Sequence, residues 1–178
     1  VDLALVLRER FQEFVTGNEY LHFSAGITMT KPHAPVDSFA EKAEKSLERA
    51  KESGRNRVTV FEETVTWEEL ISLVEYGRQM EGWRTTYLSS SMFYRLNELV
   101  RMAGDEKDLN RERIHISDMQ CLRWRSQLNY LLARNLSSDL KGESREKALE
   151  EVKVLGLWLD EFGGAMKIPL WNILYNHR

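Results

Sequence analysis

Two cations, Lys51 and Arg55, flank Gly54 in the run AKESGRNRV from Ala50 to Val58. Lys51 falls in the last turn of an expected helix, Gly54 lets the chain reverse, and Arg55 emerges on the strand side. Two cations brought to one edge of a sheet suit phosphate oxygens. A plainer account stands beside this one. Lysine and arginine near a helix C-terminus are stabilised by the helix dipole whether or not anything binds, and short basic motifs match by chance often. Upstream, SAGI from Ser24 to Ile27 adds a hydroxyl and a glycine. Ser24 has no histidine partner to activate it as a nucleophile, so a hydrogen bond to a nucleotide or to a neighbouring strand suits it better. Gly26, with no side chain, permits close approach of a ligand or of another stretch of backbone.

A second group interleaves cations with aromatics: Arg123, Trp124, Arg125 and Tyr130, with Arg111, Arg113 and Arg134 nearby. Such a mixture can touch a phosphate backbone or stack on bases. It is equally what a helical bundle produces when a tryptophan packs inward and its arginine neighbours form salt bridges. The four histidines, His22, His33, His115 and His177, show no HxH or HxxxH spacing, so no metal site is expected. Cys121, the single cysteine, reads as a small buried hydrophobe in a helix.

The elements that must position these groups follow from periodicity. Leu3, Leu7, Phe11 and Phe14 lie on one stripe of a first helix that stops near Gly17. Tyr20 to Met29 alternates apolar and polar residues and predicts a strand, and Lys31 to Pro35 reads as a loop. Ser38 and Glu41 have capping-box spacing at the start of a helix that runs to about Ser53 and buries Phe39, Ala43, Leu47 and Ala50. On its solvated face Glu41 and Lys45 are one turn apart. A short strand then alternates Val58 and Val60 with Arg57 and Thr59, closing at Phe61.

After Thr64 only helical patterns follow. Thr66 and Glu69 form a second capping box, and breaks are expected near Gly82, Gly104, Ser137 to Gly142, and Gly163 to Gly164. The core-facing residues would include Trp67, Leu70, Ile71 and Val74, then Leu88, Met92, Leu96 and Leu99. Further along they would be Leu122, Leu128, Leu131 and Leu132, then Leu149, Val152 and Leu159. A last helix takes Pro169 in its first turn, and Gly104 to Arg111 is the expected long connection. The class is α+β and mostly α: residues 1–64 form a small sheet with helices, and residues 65–178 a helical bundle.

Bulk properties bound the functions available. The chain has 178 residues, 42% of them hydrophobic, enough for a real core. Its 25 basic and 28 acidic residues leave a net charge of −3, so any contact with a polyanion must be local rather than driven by the whole molecule. Lone-cysteine usage and the lack of a long apolar run point to a cytoplasmic protein that does not enter a membrane. The first residue, Val1, is not a methionine and the helix begins at once, which gives the expectation of a start inside a longer polypeptide.

The strand with S-x-G-I, the helix ending in A-K-x-x-G-R-N and the following valine-led strand resemble the closing half of a GGDEF-type palm, a ferredoxin-like fold. The further stretches narrow the likeness. F-x-x-x-V-x-W-E-E from Phe61 to Glu69, R-W-R-S-Q-L-N-Y from Arg123 to Tyr130 and P-L-W from Pro169 to Trp171 look like the C-terminal region of the large subunit (Cas-ten, Csm family) of type III-A CRISPR complexes. In that family the palm is followed by a helical domain. The resemblance implies that Lys51 and Arg55 contact nucleotide phosphates and that Ser24 lines the nucleotide site. It implies ATP as substrate, cyclic oligoadenylate as product, and Mg or Mn as the metal.

The family's GGDD hairpin is not in this sequence, so no catalytic or metal-holding residue is assigned here. The metal would be held by residues outside it. Implied partners are the rest of the large subunit with its first palm and HD nuclease domain, the small helical subunit and other Csm-complex subunits, and crRNA and target RNA. Arg123, Arg125 and Arg134 are the candidates for contact with RNA or a subunit. Two alternatives remain: a mainly structural module of such a complex, and a degenerate GGDEF protein binding guanine nucleotides.

Overall fold

The computed structural model describes residues 1–18, 20–30, 35–109, 116, 118–136 and 139–177. These fall into two compact units, Val1–Glu75 and Tyr76–Arg178. The class is α+β and mostly α, as expected, with a small mixed sheet and a helical remainder.

The first unit holds α1 (Asp2–Phe14), β1 (Ala25–Ile27), α2 (Val36–Glu52), β2 (Arg57–Val60), β3 (Glu63–Thr66) and the start of α3 (Trp67–Thr86). β1 and β2 are parallel, with Ala25 opposite Val58 and Ile27 opposite Val60; β3 returns antiparallel to β2, giving the order β1-β2-β3. Parallel neighbours need a crossover, and α2 supplies it. The helix lies on the strand backbone itself. A Cβ built on Gly26 would sit 2.4 Å from the Leu47 nitrogen and 2.8 Å from the Ala43 oxygen. Of the two approaches that Gly26 allowed, the structure therefore realises the backbone one.

An aromatic clasp closes this unit. The rings of Phe11 and Phe23 stack at 5.5 Å, those of Phe23 and Trp67 at 5.4 Å, and the Trp67 indole N–H donates to the Phe23 carbonyl at 2.8 Å. Trp67 is 2% exposed. It can sit there because the Thr66–Glu69 capping box forms as the spacing predicts. Thr66 Oγ1 accepts from the Glu69 N–H at 3.1 Å, and Glu69 accepts from the Thr66 N–H at 2.7 Å.

Several expectations are corrected. The strand predicted over Tyr20–Met29 shrinks to Ala25–Ile27, because its one partner, β2, offers only Val58 to Val60 for pairing. Ser38 and Glu41 do not cap α2, which starts two residues earlier at Val36 after Pro35; Glu41 instead accepts from Lys45 at 2.6 Å. On α1 the stripe Leu3, Leu7 and Phe14 faces outward, Phe14 being 86% exposed, while Ala4 and Val15 are buried. On α2, Ala50 is buried but Phe39, Ala43 and Leu47 are only half-buried. Strand β3 was not expected. It is joined to β2 by the two-residue turn Phe61–Glu62, with φ of 51° and 74°, a conformation that sequence normally signals with asparagine and glycine. Across this hairpin the buried Thr59 hydroxyl shares a 2.9 Å hydrogen bond with Thr64. The expected loop at Lys31 to Pro35 falls outside the described residues but for Pro35.

The second unit contains the rest of α3, then α4 (Ser90–Lys107), a 3-10 helix (Asp118–Arg123), α5 (Trp124–Asn135), α6 (Glu143–Val152), α7 (Val154–Phe162), a 3-10 turn (Gly163–Met166) and α8 (Lys167–Asn176). Neither Gly82 nor Gly104 breaks a helix. Gly104 lies inside α4, where a Cβ would stand 3.1 Å from the Gly164 Cα, so the two backbones touch through glycine. Gly163, with φ of 53°, does end α7 as expected. The expected connection from Gly104 to Arg111 is helical to Lys107, and Arg111 lies outside the described residues. So do Ser137, Ser138, Arg113, His33 and His115.

Helix α3 buries Leu70, Leu73 and Met80, which leaves Ile71 outside at 58% exposure; a helix can aim only one stripe inward. Leu122 is exposed because Cys121, beside it in the 3-10 helix, and Trp124, which opens α5, turn inward instead. Val74, Leu131 and Leu149 are half-buried, and the other expected core residues from Trp67 to Leu159 are buried.

Polar side chains hold three of the indoles of this unit. Trp83 Nε1 donates to Glu151 at 2.8 Å and Trp124 Nε1 to Glu106 at 2.6 Å, while Trp171 Nε1 donates to the Asn97 carboxamide at 2.7 Å. Tyr76, Trp158 and Trp83 stack in a row with centroids 4.1 and 5.3 Å apart.

Two outcomes follow from this packing. Gly26→Ala must push α2 off the sheet and is expected to destabilise the first unit by about 3 kcal/mol. Gly82→Ala, with nothing within 4 Å of the new methyl, should stabilise by about 0.5–1 kcal/mol; urea denaturation of the two variants checks both signs. The Tyr87 phenol hydrogen-bonds to Glu151 and feels its charge, and both raise its pKa above the ordinary tyrosine value. A raised folded pKa means that this bond stabilises the protein below the ordinary tyrosine range and is lost as pH climbs through the raised value. Absorbance titration near 295 nm should therefore show one tyrosine ionising late, and Glu151→Gln should return it to the others.

Candidate functional site

The candidate phosphate-binding end is built where the crossover returns to the sheet. Because β1 and β2 are parallel, the start of β1, the end of α2 and the start of β2 share one edge. Ser24 immediately precedes Ala25, which is opposite Val58, so Ser24 is level with Arg57. Lys51 occupies the last turn of α2 together with Arg49. The helix closes with the Gly54 and Arg55 amides both donating to the Lys51 carbonyl, at 3.3 and 3.2 Å. Gly54, Arg55 and Asn56 then follow one another at φ of 116°, 57° and 47°, and the chain enters β2. Lys51 and Arg55 are exposed, and Ser24 is half-buried. Ser24, Lys51 and Arg55 thus lie on segments that meet at one end of the β1-α2-β2 crossover.

The electrostatics of this end set the chemistry available. A helix C-terminus presents carbonyl oxygens and a partial negative charge, which repels phosphate. Any anion held here must therefore be held by side chains. Arg49, Lys51, Arg55 and Arg57 bring four cations to it, against Glu52. Arg57 escapes sequence reasoning because strand alternation marks it merely as outward-facing; its Nε lies 3.5 Å from where a Gly54 Cβ would be, so the side chain folds back over the loop. Arg8, on α1, is the other residue not anticipated. Its Nη2 donates to Asn56 Oδ1 at 3.4 Å, and no local motif reveals a partner 48 residues away.

In the second unit the three candidate arginines are not equivalent. Arg125 is clamped: it donates from Nη1 to Glu106 at 2.8 Å and from Nη2 to Asp160, and it lies 4.5 Å over the Trp124 ring. Those bonds raise its already high pKa, the Glu106 hydrogen bond first among the causes. Arg134 donates to the Tyr130 hydroxyl at 2.5 Å. Arg123 lines a depression of about 530 Å³ with Glu98, Arg101, Asp105, Asp108 and Asp118. Cys121 borders the same depression and is buried as expected, and burial raises its thiol pKa. Arg101 is already paired with Glu98 at 2.5 Å and Asp105 at 3.5 Å, so among the described residues the lining carries an acidic excess. Among the described residues no group of three or more His, Cys, Asp or Glu side chains converges to hold a metal, and no helix is long and apolar enough to cross a membrane.

No curated protein and no solved structure matches the chain. A family model described as Cas10/Cmr2, second palm domain, matches residues 1–59, from α1 to the middle of β2. That span holds Ser24, Lys51 and Arg55. Residues 1–59 are thus similar to the second palm domain of that family, and residues 60–178 lie outside the match.

Proposed function

We propose that this chain serves in a large subunit of the type III-A (Csm) kind, whose complete palms make cyclic oligoadenylate from ATP when target RNA binds. In this reading Lys51 and Arg55 hold the triphosphate, and Ser24 hydrogen-bonds the nucleotide. The observation that carries it is the crossover itself, which delivers these three positions to one edge within the stretch similar to a Cas10 palm. Among the described residues no three His, Cys, Asp or Glu side chains converge, and no catalytic step is assigned to them. Their part is binding: two cations neutralise phosphate charge and fix its position, which lowers the cost of bringing a nucleotide to a reacting partner.

The second unit supports a different role, contact with the small helical subunit, other Csm subunits, crRNA or target RNA. Arg125 is neutralised by Glu106 and Asp160, which suits a scaffold more than a polyanion contact. Arg123 stands beside the acidic residues Asp105, Asp108 and Asp118 among the described lining of its depression. This arrangement is what a mainly structural module would show.

Both roles are open to direct measurement in the assembled complex. Lys51→Ala and Arg55→Ala are each expected to weaken ATP binding about tenfold or more, the loss of one charge-assisted contact, and to lower product formation with it. Undiminished affinity and synthesis would remove the nucleotide reading. Charge reversal at Arg123 and Arg134 should weaken co-purification of the small subunit and crRNA; full assembly in both variants would remove the contact role.

A further inference from the structure

We infer that Arg8 is a positioning residue for the phosphate-binding end, acting through Asn56 on the loop that presents Arg55. The inference rests on the reading of Lys51 and Arg55 as nucleotide contacts. Four observations place the guanidinium. It donates to Asn56 Oδ1 at 3.4 Å. It stands 5.8 Å from the Trp67 ring centre, against the ring of the aromatic clasp. The Gln12 carboxamide, turned so that its oxygen faces Arg8, accepts from both Nη1 and Nη2 one turn along α1. The remaining guanidinium nitrogen tells most: Nε is buried with no hydrogen-bond partner. A buried donor left unmet is a cost that native structures seldom carry without compensation. An apolar residue would fill the same place against Trp67 without that cost, so the charge and the reach of the fork toward Asn56 are what arginine adds.

Asn56 is the useful thing to hold. It is the last of three consecutive left-handed residues, directly after Arg55 and directly before β2. The Lys51 carbonyl holds the Gly54 and Arg55 amides on the helix side of the loop; fixing the Asn56 side chain from α1 adds a tie on the far side of Arg55. A pre-placed cation binds phosphate with less ordering to be done on binding. Arg8 itself is half-buried behind the loop, whereas Arg55 is exposed, so the two differ in role.

The test measures ATP binding in the assembled complex, as for Lys51 and Arg55, and has an arm on this chain that needs no ligand. Trypsin cleaves after arginine, so its rate at Arg55 reports loop opening. Arg8→Met and Asn56→Ala should each speed that cleavage severalfold, and the double variant no more than either alone. The same variants should weaken ATP about five- to tenfold, again without adding, while Arg8→Lys, which keeps the charge and stem, should weaken it less. An unchanged trypsin rate with a folded Arg8→Met protein overturns the positioning role. A loss of ATP affinity from Arg8→Met that persists in full on top of Asn56→Ala overturns it too, since Arg8 would then act directly. If Lys51→Ala and Arg55→Ala leave ATP binding unchanged, the nucleotide reading has failed, and the functional part of this inference fails with it. Faster cleavage in the Arg8 and Asn56 variants would then identify that as the cause rather than a misplaced loop.

Discussion

The backbone of α2 rests on the backbone of β1 at Gly26, and much of the first unit depends on that contact. With Leu47 N and Ala43 O so near that a methyl group cannot enter, the helix axis is fixed at backbone distance from the sheet. A helix held that close has one way back to the sheet, through a tight reversal at Gly54, and the reversal brings Lys51 and Arg55 to the edge where Ser24 enters β1. Raising the helix by the width of one side chain would alter the reversal and with it the spacing of the cations. The candidate site is therefore a consequence of packing at a place it does not include.

The second unit solves a different problem with polar atoms. Indoles bury well but each carries one N–H that must be met. Glu151, Glu106 and Asn97 meet three of them, and Glu106 also accepts from Arg125. One carboxylate thus satisfies a tryptophan from below and an arginine from outside, and Arg125 in turn covers the Trp124 ring. Removing either partner would strand the other, so the cations around Trp124 are tied to the fold before any partner is considered. The same residue types that resemble a nucleic-acid surface in sequence are here partly the mortar of a bundle.

How far sequence carried depended on the range of the interaction. Local signals were legible: the Thr66–Glu69 box, the Glu41–Lys45 pair, the end of α7 at Gly163 and the crossover order of strand, helix and strand. Signals that need a distant partner were not. Gly104 reads as a helix end, because nothing nearby in sequence shows that Gly164 will press against it. The strand around Ala25 has strand-like alternation for ten residues, but its length is set by β2, which pairs with only three. The hairpin at Phe61–Glu62 lacks the usual residues for positive φ, so β3 left no mark in the pattern. Arg8 was invisible for the same reason as Gly104.

The loop after α2 sharpens what sequence and structure together imply about the site. Left-handed backbone disfavours side chains with a Cβ by roughly 1–2 kcal/mol, least for asparagine and not at all for glycine. The order Gly54, Arg55, Asn56 places glycine where φ is largest and asparagine where it is tolerated, yet sets arginine between them. For stability alone, glycine at that position would serve better. Arg55 is thus an exposed cation in a conformation that penalises its side chain, followed by Asn56, whose side chain accepts from Arg8 on α1. The dipole account explains Lys51, which lies within the last turn of α2. It does not explain Arg55, which lies beyond it.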